Sequence, residues 1–232
     1  MNETTKQPAN RTDEIGILLT KPRQYLIFRS VFMLGRSATL NRRLTDLSGV
    51  RPGENVADIG CGPGDLVRSL AQRTGAAGSV TGVDPSPEML AYAAARSARL
   101  PHCAFEHAPA QQLPLPDASI DLLTCTFVMH HIPEAKRADA LAQMFRVLRP
   151  GGRLLLADTH PHGLVLPALI RAMGRSAGRK THDPAALGPD ADPIAAVDIR
   201  RYQNLLRQNG FRDIEFTAVR PITGVLSAVK PG

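Results

Sequence analysis

Three glycines fall within five residues, Gly60, Gly62 and Gly64 in "VADIGCGPGD", directly behind a short apolar run and directly ahead of an amphipathic one. Without Cβ atoms the backbone can turn sharply there, and a ligand can touch main-chain atoms. The spacing is G-x-G-x-G. A dinucleotide fingerprint needs its third glycine at position 65, which holds Asp65, and an acid opening a helix repels a pyrophosphate placed at that N-terminus. There is also no G-K-[ST] for a nucleoside triphosphate. About 20 residues beyond Gly64, a second β-type run ends in Asp84, placed to accept hydrogen bonds from a ribose diol. These positions describe recognition of a nucleoside that carries no phosphate.

Histidine supplies the other chemistry. His130 and His131 in "FVMHHIPEA", with His160 and His162 in "THPHG", follow the ends of β-type runs, the edge at which open α/β sheets bind ligands. Imidazole is the usual proton acceptor at neutral pH, and the order of candidates is His131, then His160. The alternative for each is a packing or loop-orienting role. Cys61, Cys103 and Cys125 lie far apart without a CxxC or Cys/His cluster, so neither a metal site nor a disulfide framework is expected.

The elements that must hold these residues alternate between period 2 and period 3.6. Residues 14–47 read as two helices. "NVADIG" gives a strand and "DLVRSLAQRTG" a helix; "SVTGVD" gives a strand and "SPEMLAYAAARSARL" a helix opened by Ser86, Pro87 and Glu88. "CAFEH", the run "IDLLTCTFV", the helix "EAKRADALAQMFRVL", a "RPGG" stop and the strand "RLLLAD" follow. This alternation means a parallel sheet covered by helices on both faces. After the helix "VDIRRYQNLLRQNG", "FRDIEFTAV" and "ITGVLSAVKP" are separated by too short a link for a parallel crossover, so they form an antiparallel hairpin.

The 232 residues, 43% of them hydrophobic, suit one domain. The net charge of +7 gathers in Lys21, Arg23, Arg29, Arg36, Arg42 and Arg43, and again in Arg171, Arg175, Arg179 and Lys180. The second group carries no interleaved aromatics and tryptophan is absent, which argues against nucleic acid and for solvated helix faces. No secretory pattern opens the chain, and the apolar stretch 15–34 is broken by "TKPRQ" and Arg29. A cytoplasmic protein without a transmembrane segment is expected, with peripheral membrane contact left open.

"VADIGCGPG", "VTGVDPSPEMLAYA", "LPLPDASIDLLTCTFVMHHI" and "VLRPGGRLLLAD" resemble, in order and spacing, the successive motifs of class I S-adenosylmethionine-dependent methyltransferases, especially the ubiquinone and menaquinone biosynthesis branch. The match runs from about residue 49 to residue 158. The resemblance implies a Rossmann-like α/β fold whose seven-stranded, mostly parallel sheet ends in an antiparallel hairpin. It places Gly60, Gly62 and Gly64 beneath the methionine portion of the cofactor, Asp58 near its ammonium, Asp84 on the ribose, Pro85 and Met89 about the adenine, and Thr126 and Phe127 beside the methionine chain. Where the family often has an acid for the adenine amino group, this chain has Pro109, so Ala110 or Gln111 must serve.

The expected organisation is an N-terminal helical cap, residues 1–48, on a cofactor-binding domain, residues 49–232, with a lid-like insertion at 159–195. Apolar residues Leu26, Ile27, Val31, Phe32 and Leu34 of the cap, and Leu164, Leu166, Leu169, Ile170 and Met173 of the insertion, exceed one narrow stripe. They read either as a pocket for a flat, apolar acceptor or as a core or homodimer contact. The expected reaction is O- or C-methylation of a small acceptor. The alternatives are a noncatalytic S-adenosylmethionine-binding sensor or subunit, and a nicotinamide-dependent oxidoreductase, the latter disfavoured by the missing third glycine and the lack of a Tyr-x-x-x-Lys pair.

Overall fold

A computed structural model of the chain describes residues 19–32, 35–160, 198–220 and 222–232. The expected lid, from residue 161 onward, lies outside the described residues, as do the start of the first helical stretch and His162.

Two helices, α1 (Pro22–Phe32) and α2 (Ser37–Ser48), precede the first strand. Then β1 (Asn55–Ile59), α3 (Asp65–Thr74), β2 (Ser79–Asp84), α4 (Pro87–Ser97), β3 (Cys103–His107), β4 (Ile120–Thr126), α5 (Arg137–Val147) and β5 (Leu148–Thr159) follow in the order that the periodicity predicts, with a loop and no helix between β3 and β4. A 3-10 turn, Ile199–Arg201, leads into α6 (Tyr202–Gln208), followed by β6 (Arg212–Val219) and β7 (Thr223–Val229). The seven strands form one sheet in the order β3-β2-β1-β4-β5-β7-β6. All neighbours are parallel up to β5, and β7 runs antiparallel to both β5 and β6.

Successive residues of the central strands serve opposite faces. Leu123 and Leu154 enter the core under α5 and α6 with Met144, Leu206 and Phe211, while Leu122 and Leu155 enter the one under α2 and α3 with Leu44, Val67 and Leu70. Both faces are therefore dry, and the continuous apolar runs of the sequence follow from that. The start of α4 is built as its sequence demands: Ser86 Oγ accepts from Met89 N at 3.2 Å and donates to Glu88 Oε2 at 2.9 Å.

The "RPGG" stretch is not the break expected before a strand. β5 begins at Leu148, and its register on β4 jumps from Ile120↔Leu148 to Leu122↔Arg153, so Arg149 to Gly152 form a bulge inside the strand. Gly151, at φ +74°, donates its N–H to Lys230 O at 2.9 Å, and Lys230 N–H donates to Gly152 O at 2.9 Å. The strand end beyond β7 supplies partners that a turn would have taken from water. Nor does Arg29 stand on a solvated face: it is paired with Asp65 at the start of α3, which also holds Arg68.

Candidate active site

The glycine loop leaves β1 at its carboxyl end and is fastened to the next strand, with the Gly60 and Cys61 N–H groups donating to Val83 O at 2.7 and 3.0 Å. Gly60 has φ +68°, and a Cβ there would lie 2.2 Å from Val128 Cγ2. Gly62 has φ +50°, yet nothing lies within 4 Å of where its Cβ would be, so its bare backbone faces open space in the cleft. That is the cradle a closely approaching ligand needs. Its N–H donates to Asp84 Oδ2 at 2.8 Å while Ser86 N–H donates to Oδ1 at 2.9 Å. Asp84 is thus locked in place at the end of β2, with lone pairs left to face the cleft. Burial raises its pKa, and the two backbone N–H groups oppose the rise.

Gly60, Gly62, Asp84, Pro85, Met89, Ala110, Gln111, Thr126 and Phe127 line one cavity, together with Pro109 and His131. Asp58 lines a second, adjoining cavity that shares Gly60, Gly62, Thr126 and Phe127 with the first. The Asp58 carboxyl is 1% exposed and accepts a hydrogen bond from Thr124 Oγ1 at 2.7 Å. Burial, with a smaller contribution from the Asp84 charge, pushes its pKa up to about 7. Gly64 lines neither cavity; a Cβ there would lie 2.8 Å from that of Ala93, so it lets α3 start close against α4. Phe127 is held at φ +58°, rare for a side chain of its bulk, by its N–H bond to Ala157 O at 2.8 Å.

The two histidine candidates part company. His131 sits on the cavity wall, its Nδ1 buried without a partner and its ring 4.0 Å from that of His130. Burial first, and the His130 charge second, lower its pKa to about 4, so the ring is neutral at physiological pH. His160 lines neither cavity: its Nδ1 lies 3.1 Å from Asp198 Oδ1 and its ring packs edge-on to Phe216 at 4.8 Å. His130, which sequence ranks no higher than its neighbour, has Nδ1 2.7 Å from Asp158 Oδ1, a carboxylate buried at the end of β5.

Tyr25 and Arg29 had no place in the sequence-based site. Both reach it from α1, Tyr25 lining both cavities and Arg29 the second. Their spacing of four residues puts them on one helix face. Nothing local in the sequence tells that this face meets Asp65, 36 positions away. Among the described residues, no group of His, Cys, Asp and Glu could hold a metal ion, and no helix is long and apolar enough to cross a membrane.

Residues 56–152, which contain the glycine loop, Asp84 and the cavity walls, match the family model of a methyltransferase domain. Over that stretch the chain is similar to a methyltransferase domain. Over 115 residues it is 42% identical to an uncharacterized 37.1 kDa protein in transposon TN4556 of Streptomyces fradiae, covering 50% of this chain and 33% of that protein. Over 158 residues it is 32% identical to the ubiquinone/menaquinone biosynthesis C-methyltransferase UbiE of Psychromonas ingrahamii, covering 66% of this chain and 62% of the relative. The chain thus spans a third to about three fifths of the length of these curated relatives. Its fold is similar to that of a SAM-dependent methyltransferase from Aquifex aeolicus, with a TM-score of 0.68 and 18% identity over 91% of this chain and 100% of that one.

Proposed function

We propose that the protein transfers the methyl group of S-adenosylmethionine to a small apolar or aromatic acceptor, by O- or C-methylation. The observation that carries this reading is the pair of adjoining cavities around Gly62, with the locked Asp84 carboxylate at one end and buried Asp58 at the other. A nucleoside joined to an amino acid offers hydroxyls to one of these acids and an ammonium to the other. Bound there, the cofactor supplies an activated methyl group on a sulfonium. Asp84 accepts from the ribose hydroxyls, Pro85 and Met89 flank the adenine, and Ala110 and Gln111 take its edge. Asp58 faces the ammonium, and Thr126 and Phe127 run beside the methionine chain. Tyr25, from α1, covers the site and helps exclude water.

His131 accepts the acceptor's proton, and His160, held on Asp198 away from both cavities, supports the end of β5 instead. The relative named for ubiquinone and menaquinone biosynthesis favours a quinol-type ring carbon among the acceptors. The expected setting is cytoplasmic, with residues 1–48 as a cap and residues 159–195 as a lid over the acceptor.

The purified chain, incubated with methyl-labelled S-adenosylmethionine and a panel of hydroquinones, naphthohydroquinones and phenols, should release S-adenosylhomocysteine and label at least one aromatic product. Tight cofactor binding with no label in any product would favour a sensor or subunit and sink the catalytic reading.

A further inference from the structure

Among the described residues, the exposed large hydrophobic side chains are Leu19 and Ile27, at 38% and 66% exposure. Single apolar side chains are ordinary on a protein surface. These two share one short stretch, and it is also where the charge is least balanced. Residues 19–48 hold Lys21, Arg23, Arg29, Arg36, Arg42 and Arg43 against a single acid, Asp46. Arg29 is taken by Asp65, and Asp46 by Arg73. The remaining cations are all exposed, and none is in an ion pair among the described residues. We infer that the outward face of α1 docks the protein on the surface of a bilayer that contains anionic lipid. The choice of a bilayer as the partner rests on the proposed apolar acceptor.

α1 has two unlike faces. Tyr25 and Arg29, four residues apart, are half-buried and border the second cavity. Arg23, Ile27 and Ser30, spaced i, i+4 and i+7, are exposed along another side. Ile27, which the sequence assigns to a pocket or a core, borders neither cavity. Ser30 shares an open groove with Arg42 of α2 and Arg96 of α4, so the basic surface continues beyond α1. Asp65, the acid on that groove, is held by Arg29 and Arg68. Leu19 joins the surface to the site: it is exposed, yet it borders the first cavity beside Tyr25 and Ile132. Cations alone would suit any polyanion, but an exposed Ile27 gains nothing from a chain of phosphates. A membrane interface takes the apolar side chain among its acyl chains and the cations among its headgroups. It is also the phase in which an apolar acceptor collects, and Leu19 stands between the two. No described helix is long and apolar enough to cross the bilayer, so the contact is at its surface.

Cosedimentation of the full chain with vesicles of phosphatidylcholine alone, and of phosphatidylcholine mixed with phosphatidylglycerol, tests this. Wild type should bind the anionic vesicles about tenfold more tightly or better, and release them as salt is raised. Ile27→Gln should lower the partition coefficient by about tenfold. Lys21→Gln combined with Arg23→Gln should lower it by about 25-fold, and Arg42→Gln alone by about fivefold. Unchanged affinity for S-adenosylhomocysteine shows that each variant is folded. As a control, Arg207→Gln combined with Arg212→Gln removes the same charge from exposed positions beside and on β6, and should cost about twofold or less. An equal loss in that control would mean that total charge attracts the vesicles, and would overturn the docking surface. Two other results would overturn it: retention on duplex DNA without vesicle binding, and a dimer in place of vesicle binding that Ile27→Gln abolishes. Absent vesicle binding in a protein that methylates a dispersed acceptor would overturn the surface and leave methyl transfer standing. Vesicle binding lost in the α1 variants of a chain that methylates nothing supports the surface and overturns methyl transfer instead.

Discussion

Among the described residues, Asp58 and His131 are titratable side chains whose pKa values burial moves in opposite senses. The Asp58 pKa rises from 3.8 to about 7 because its carboxylate is shut away from water with one hydroxyl donor. Its folded form therefore holds a proton that the unfolded chain gives up, so its contribution to stability is whole below about pH 4 and is lost as pH rises through 7. Asp58→Asn keeps an oxygen for Thr124 and removes the titration. Urea unfolding at pH 5 and pH 7.5 should show a smaller pH difference in stability for this variant than for wild type; parallel behaviour would mean the group is ionised throughout. For His131 the pKa falls from 6.5 to about 4, so its contribution is present above 6.5 and lost as pH falls through 4. A neutral imidazole on the cavity wall has a lone pair free for a proton, and under the proposed role turnover should show an acid limb below about pH 5. His131→Asn should lower turnover by about 100-fold or more with cofactor affinity nearly unchanged. Most activity retained in that variant would move the proton to His130, which is already oriented by Asp158.

At the scale of elements, Lys230 shows how a strand end can finish a distant helix. Its ammonium donates to Phe145 O at 2.8 Å and Leu148 O at 2.6 Å, carbonyls at the C-terminus of α5, and lies 4.7 Å from the centre of the Phe145 ring. A cation there answers both the orphan carbonyls and the negative end of the helix dipole. Lys230→Met should destabilise the protein by about 1.5 to 3 kcal/mol, read from the denaturant midpoint at constant m-value. The strands and helices were legible because each is a run of its own period, and the Ser86 cap because capping is a matter of three residues. Likewise Asp84 and Gly62 were legible as candidates from their spacing, and the structure joins them by a hydrogen bond across 22 positions. Long-range partnerships explain what sequence does not disclose: the bulge at "RPGG" depends on Lys230, and the place of Tyr25 and Arg29 depends on Asp65. The loss of His160 from the cavity depends likewise on Asp198, a residue beyond the insertion.

Taken whole, the molecule ties its N-terminal helices to α3 by Arg29–Asp65 and by Arg73–Asp46, and α3 packs on the sheet, which argues for one cooperative unit. A scanning-calorimetry trace should show a single transition. A saturating nucleoside ligand at about 100 times its Kd adds about 2.7 kcal/mol, enough to raise Tm by about 5 to 10 °C in a chain of this size. A transition unmoved by S-adenosylhomocysteine would mean that the cleft does not bind it in the folded state. The strand order carries a further consequence, one for the sequence of events in folding. β6 precedes β7 along the chain but touches the sheet only through it, because β7 occupies the place beside β5. On a ribosome, the strands from β1 to β5 can assemble as they emerge, whereas β6 must wait, its edge unsatisfied, until the later strand inserts between it and the rest. Backbone amides of β6 and β7 should therefore gain protection together in pulse-labelled refolding, after those of β1 and β4, and the interval between the two events is when a nascent chain has most need of a chaperone.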